Sequence, residues 1–225
     1  MAPHSGPLSG RRAEAARNDG RILNAARTVF LANPSAPIAD VARAAGVGIS
    51  ALYRRYSSKE VLLRELARDG LSRYIADLRS ALADPGDPWD VFCACLHHVV
   101  DGQSQALAQR LAGTFQPTAE LERLAREASY LANELHMRAQ GTGALRPDVS
   151  PADVTLVLEM TTFVDLPGPN RGRALRHRYL TLILQALRAP QTGDLPGQPA
   201  SEADLTTRWQ HSAHRAGSRP EFGLR

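Results

Sequence analysis

Apolar residues recur along nearly the whole chain at spacings of three and four, and no stretch of four to eight residues alternates as a strand would. A chain with that period can bury its apolar stripes only by packing helix on helix. The fold class predicted is therefore all-α, with about nine helices punctuated by Pro and Gly. The first runs from about Asn18 to Ala32 and stops at Asn33-Pro34. A short one follows Pro37 and ends at Gly46, and a shorter one spans about Ile49 to Tyr56. Ser57-Ser58-Lys59-Glu60 has the Ser-x-x-Glu form of a capping box and opens a long helix carrying Leu62, Leu66, Leu71, Ile75, Leu78 and Leu82, closed by Pro85-Gly86.

Beyond that break, Trp89, Phe92, Cys93, Leu96, Val99 and Val100, then Leu107, Leu111 and Phe115, mark two more core helices. An amphipathic run from Thr118 to about Gln140 closes at Gly141-Thr142-Gly143. Ser150-Pro151-Ala152-Asp153 combines a capping hydroxyl, Pro in the first turn and an acid at the positive end of the dipole, so a helix is expected from there to about Val164. The last helix is expected from Asn170, as its cap, to about Arg188. After Pro190 the composition turns to Pro, Gly, Gln and Ser, which predicts a tail without fixed structure, save for a turn docked around Leu205 and Trp209.

The 225 residues are 43% hydrophobic and 22% charged, ordinary for a globular chain. No run approaches the roughly 18 to 20 apolar residues of a membrane span, and the N-terminus lacks the apolar middle of a secretory signal, so a cytoplasmic location without a membrane partner is expected. Charge is unevenly placed. Residues 1–60 hold nine Arg or Lys against four Asp or Glu, while the rest holds 18 against 19. A basic terminal module on a near-neutral body suits a polyanion-binding head.

The stretch Asp40 to Glu60, DVARAAGVGISALYRRYSSKE, carries the chemistry. Two short helices joined by a tight turn at Gly46, behind a longer supporting helix, are the parts of a helix-turn-helix. Ala42 lets the helices approach, and Val47 and Leu52 fill the space between them. Gly48, Ile49, Ser50, Ala51, Arg54 and Arg55 then face outward toward a major groove. A guanidinium fork fits the O6 and N7 edge of guanine, and either Arg54 or Arg55 can supply it.

Ile22 to Leu63 resembles the DNA-binding domain of the tetracycline-repressor (TetR) family. The matching words are Ile22-Leu23-Asn24-Ala25-Ala26 with Phe30, Ile38-Ala39-Asp40-Val41-Ala42, Ala45-Gly46-Val47, Leu52-Tyr53-Arg54-Arg55-Tyr56, and Ser58-Lys59-Glu60-Val61-Leu62. The resemblance implies that Tyr53 and Lys59, the only lysine, touch phosphates. Ala36 stands where many relatives place a capping hydroxyl that also meets phosphate; Ser35, one position earlier, is the candidate here. Tyr56 replaces the family's usual Phe and is expected in the core. Residues 1–17 form a basic arm whose Arg11, Arg12 and Arg17 suit a minor groove. Residues 18–64 form the head, 65–189 a helical effector-binding and dimerising body, and 190–225 the tail.

The resemblance further implies a homodimeric, ligand-responsive regulator, most simply a repressor, whose last two helices pair with their copies. Val154, Val157, Leu158, Leu175, Tyr179, Leu182 and Ile183 supply that interface. Trp89, Phe92, His97, Phe115, Tyr130, Met160 and Phe163 are the candidate walls of a pocket for a largely apolar small molecule. The expected partners are an operator duplex, a second copy and that effector, with no cofactor. Cys93 with His97 makes at most two ligands on one helical face, so no metal is expected, and Cys93 and Cys95 point apart. No nucleotide cradle, HExxH or nucleophile elbow is present in the sequence, and no catalytic residue is expected. The rival reading is a helical small-molecule-binding protein or enzyme that has lost its DNA role and uses the His97 region.

Overall fold

The computed structural model describes residues 8–103, 107–108, 111, 113–164, 169–189 and 193–205. Among them, eight helices account for the architecture: α1 (Leu8–Ala32), α2 (Ile38–Ala45), α3 (Ile49–Arg55), α4 (Lys59–Ala83), α5 (Pro88–Gly102), α6 (Ala119–Gly141), α7 (Pro151–Thr162) and α8 (Pro169–Leu187). Leu107 and Leu111 lie in helical backbone between α5 and α6 and are buried, as the sequence predicts. The one bridge between extended residues among those described, Leu145 with Arg188, joins the loop after α6 to the end of α8. The chain forms two compact units, Met1–Leu66 and Ala67–Arg225.

In the first unit each short helix buries one stripe. Ile22, Leu23, Ala26 and Phe30 of α1 meet Ile38, Val41, Ala42 and Ala45 of α2, with Leu52, Tyr56, Leu62, Leu63 and Leu66 closing the core. Tyr56 is buried, as expected. α1 begins ten residues before the predicted start, because the Ala- and Arg-rich run ahead of Asn18 has high helix propensity even without an apolar period. Arg11, Arg12 and Arg17, expected in an arm ahead of the first helix, therefore lie on the helical backbone of α1; their side chains lie outside the described residues. The cap of α4 is Ser58, not Ser57: its hydroxyl accepts from the Val61 amide at 3.2 Å.

The second unit packs around Leu78, Trp89, Phe92, Leu96, Val99, Leu135, Leu145, Leu158, Leu180 and Leu184. Asp87 caps α5, accepting from the Trp89 and Asp90 amides with Pro88 in the first turn, and Thr118 caps α6. Ser150 and Asp153 form a complete capping box on α7. α8 starts at Pro169, so Asn170 sits inside its first turn rather than ahead of it. Arg138 of α6 reaches the end of α4, donating to the carbonyls of Ala81, Leu82, Asp84 and Gly86 at 2.6 to 3.4 Å. A helix's last carbonyls have no partners of their own, and one guanidinium supplies several.

The segment after Pro190 departs from the expected structureless tail. Gly193–Leu205 lies along the loop that precedes α7. Leu195 N–H donates to Asp148 at 2.9 Å, Ala200 N–H to Asp153 Oδ1 at 2.9 Å, and Ser150 Oγ donates to the Ala200 carbonyl at 2.7 Å. Arg146, paired with Asp148, also donates to the Gly193 carbonyl at 3.0 Å. Backbone N–H groups accepted by carboxylates hold this strap, which is why no apolar pattern betrays it. Trp209, expected to dock beside Leu205, lies outside the described residues.

Candidate nucleic-acid interface

The turn between α2 and α3 is built on Gly46, whose φ of 65° is a left-handed conformation that side chains resist. Val47 N–H reaches the Ala42 carbonyl at 3.0 Å and Gly46 N–H the Arg43 carbonyl at 3.2 Å, the two bonds of a Schellman motif. Arg21 of α1 adds a bond from its guanidinium to the Ala45 carbonyl at 2.9 Å. The angle between α2 and α3 is thus fixed by backbone bonds on one side and by buried Leu52 on the other.

Gly48, Ile49, Ser50, Tyr53, Arg54 and Arg55 are all exposed, and Ala51 is half-buried. Ser50, Tyr53 and Arg54 lie on the outward side of α3, Gly48 is its N-cap, and Ile49 and Arg55 flank that side on either hand. Ser35 is exposed on the α1–α2 loop, where its own amide donates to Asn33 Oδ1 at 3.0 Å; α2 has no side-chain cap, Pro37 preceding it instead.

Two cations have partners that the sequence does not announce. Lys59 Nζ donates to the Pro34 carbonyl at 3.2 Å and the Ala36 carbonyl at 2.8 Å, and lies 5.1 Å from the centre of the Phe30 ring. Burial lowers its pKa from the ordinary value. An ammonium has three donors, so one N–H remains for an outside acceptor. Arg55 donates through Nε and Nη2 to both oxygens of Asp19, each at 2.7 Å, and the carboxylate raises the guanidinium's already high pKa.

In the body, the seven residues expected to wall a pocket are scattered. Trp89 and Phe92 are in the core, His97 and Phe115 are half-buried, and Tyr130, Met160 and Phe163 lie at the surface, 63%, 61% and 81% exposed. A cavity of about 30 Å³ lies elsewhere, lined by Val99, Val100, Gln103, Leu158, Thr161, Thr162 and Arg176 of α5, α7, α8 and the α5 C-cap. That is room for water but not for a drug-sized molecule. Between α5 and α8 His97 stacks on His177, centroids 4.7 Å apart, while Arg173 and His177 both bind Asp101 and hold its carboxyl down at about 2, Arg173 contributing most. Burial, then the neighbouring His177, lowers the pKa of His97. No cluster of three or more His, Cys, Asp or Glu able to hold a metal occurs among the described residues. Burial raises both thiols, Cys93 to about 11 and Cys95 to about 12, which leaves them unreactive at neutral pH.

Of the residues expected at a dimer interface, Val154, Leu158 and Leu175 are spent on the chain's own core. Val157 and Ile183 are half-buried, and Tyr179 and Leu182 are 45% and 50% exposed. With Met160 and Phe163 they leave large apolar side chains uncovered on α7 and α8 and just beyond.

Residues 22–66 match the family described as bacterial regulatory proteins, tetR family, and residues 84–189 the SbtR-like transcriptional regulator C-terminal domain. The chain belongs to the TetR family of transcriptional regulators, a family of DNA-binding regulators and not of enzymes. Over 83 residues it is 40% identical to the HTH-type transcriptional repressor LfrR of Mycolicibacterium smegmatis, a match that spans 36% of this chain and 41% of that protein. The TetR regulator SCO0520 of Streptomyces coelicolor superposes with a TM-score of 0.55 at 26% identity, covering 77% of this chain and 99% of that one. A TetR regulator of Mycobacterium vanbaalenii gives 0.54 at 28% identity, covering 79% and 99%. LfrR in complex with proflavine shares the fold, with a TM-score of 0.52 at 22% identity over 75% of this chain and 96% of that one. No helix among the described residues is long and apolar enough to cross a membrane.

Proposed function

We propose that the chain is a cytoplasmic, homodimeric repressor that binds a near-palindromic operator through α3 and is released by a small molecule. The observation that carries this reading is the exposed surface of α3, where Ser50, Tyr53 and Arg54 stand opposite buried Leu52 on a turn braced by Gly46. In this reading Gly48, Ile49, Ser50 and Arg54 meet base edges, while Tyr53, the spare donor of Lys59 and Ser35 meet phosphates. The uncovered Met160, Phe163, Tyr179 and Leu182 favour burial against a second copy. A two-fold dimer sets its two α3 helices about 34 to 36 Å apart, one DNA turn, or a multiple of it.

The effector enters between α5, α7 and α8, widening the small cavity beside Arg176 and changing the spacing of the paired recognition helices. LfrR, a relative crystallised with proflavine, supports a small-molecule effector. The linkage is reciprocal: an effector that weakens operator binding by some factor is itself weakened by operator to the same degree.

Selection of duplexes from a random-sequence library by the purified protein tests the reading. Enrichment of two inverted half-sites, with two chains per duplex by sedimentation, is the expected result. A library that stays random after several rounds refutes it.

A further inference from the structure

α3 is only seven residues long, so what fixes its roll about its own axis decides which side chain meets a base. Successive residues turn by about 100°. Leu52 and Tyr56 are buried and define the inward direction. Arg54 then falls roughly opposite them, and Arg55 about a quarter turn to one side. There the Nε and Nη2 edge of Arg55 closes on both oxygens of Asp19 at 2.7 Å, a fork-to-carboxylate pair across 36 positions of sequence. The guanidinium also lies 5.5 Å from the centre of the Tyr56 ring. Asp19 sits on α1, two residues before Arg21, which binds the Ala45 carbonyl, so one short stretch of α1 braces both helices of the motif.

We propose that Asp19 is a positioning residue for sequence discrimination: it holds Arg55 against α1, sets the roll of α3, and leaves Arg54 as the base reader. The inference rests on the DNA-binding reading above. The edge of Arg55 best suited to two parallel hydrogen bonds is occupied, so it is withheld from guanine and from phosphate. The pair is also neutral as a unit, so Arg55 adds little to the counterion release that drives sequence-blind binding. Without the carboxylate, Arg55 becomes a mobile cation beside the duplex, favouring every sequence alike, and α3 loses one of the contacts that fix its roll.

The experiment is fluorescence anisotropy of full-length wild type, Asp19→Asn, Asp19→Glu, Arg54→Gln and Arg55→Gln on the selected operator and on an unrelated duplex, at several salt concentrations. For Asp19→Asn the expected result is a steeper salt dependence on unrelated DNA by about one unit of slope, and an operator-to-unrelated ratio lower by roughly three- to tenfold. Asp19→Glu restores both, because a carboxylate again meets the fork. Arg54→Gln abolishes preference at one base pair, whereas Arg55→Gln abolishes none: it lowers the operator-to-unrelated ratio only as far as the lost brace on α3 does, and without a steeper salt slope, because no freed cation remains. Circular dichroism and the melting curve of Asp19→Asn should match wild type, since the pair is 59% and 26% exposed.

An Asp19→Asn ratio equal to wild type, with both affinities moved by one factor or neither moved, would overturn the proposal and reduce Asp19 to a surface charge. Complete loss of preference at a single base pair in Arg55→Gln, the signature of a base reader, would overturn it also. A wild-type protein that enriches no sequence at all would sink the DNA reading, and this inference with it.

Discussion

Replacing Lys59 by Met separates two roles that a single ammonium fills in this structure. Met keeps most of the apolar stem and removes the charge, so the donors to Pro34 and Ala36 and the cation over Phe30 disappear together. Hydrogen bonds from a charged donor contribute about 1.5 to 3 kcal/mol each, and a cation over an aromatic ring about 0.5 to 2 kcal/mol, rising as the cation is desolvated. The two carbonyls do not suffer equally. Ala36 is buried and its carbonyl is left without this donor, whereas half-buried Pro34 can take water instead. The cost therefore amounts to about one charged hydrogen bond and part of the cation–ring attraction, about 2 kcal/mol of head stability. Denaturant melts, with amide exchange on α2 to localise the change, measure it. Anisotropy across salt concentrations reads the other role: removing one charged partner of a phosphate lowers the slope by about 0.9. Full stability with a lower slope would refute the structural tie. A destabilisation near 2 kcal/mol with an unchanged slope would refute the phosphate contact.

Tyr53→Phe should weaken binding to every duplex by about 1 kcal/mol without altering the salt slope, because a hydroxyl carries no charge; anisotropy checks both. Leu182→Glu places a carboxylate twice in the proposed two-fold interface, so sedimentation should show monomers at micromolar concentration with circular dichroism unchanged. His97 and His136 both have pKa values lowered first by burial, so the unfolded chain takes up their protons near pH 6.5 while the folded chain resists. Their contribution is complete above about pH 6.5 and is lost as pH falls below it; melting midpoints should drop toward pH 5, less steeply in His136→Gln. Asp153→Ala removes the reciprocal cap of α7 and the acceptor for Ala200 together, and a destabilisation of about 1 to 2 kcal/mol is expected in denaturant melts.

The head is legible in the sequence because its determinants are consecutive: a glycine that must take a positive φ, apolar positions three and four apart, and a capping hydroxyl before an acid. Helix ends in the body follow from local chemistry as well, as Asp87-Pro88, Thr118 and Ser150-Pro151-Ala152-Asp153 show. Pairings between distant residues are hidden. Arg55 with Asp19 lies 36 positions apart, Lys59 with Ala36 23, and Arg138 with the end of α4 more than 50, and no period marks any of them. Apolar periodicity also cannot say which partner an apolar face meets. Phe92 and Phe163 read alike in sequence, yet one is core and the other surface. The start of α1 escapes the apolar pattern for the opposite reason, since propensity alone extends the helix where that pattern has ended.

The strap along the loop before α7 also orders events in time. Ser150 and Asp153 meet Ala200 across 50 and 47 positions. On the ribosome α7 is therefore made before the residues that complete the bonding of its first turn, a delay of roughly 2 to 10 s at ordinary rates of synthesis. During that interval the capping box stands alone, with one oxygen of Asp153 and the Ser150 hydroxyl proton turned to water. In the proposed dimer the apolar surface of α7 and α8 is complete once Leu187 has been made, so the residues that seal the start of α7 follow that surface out of the ribosome.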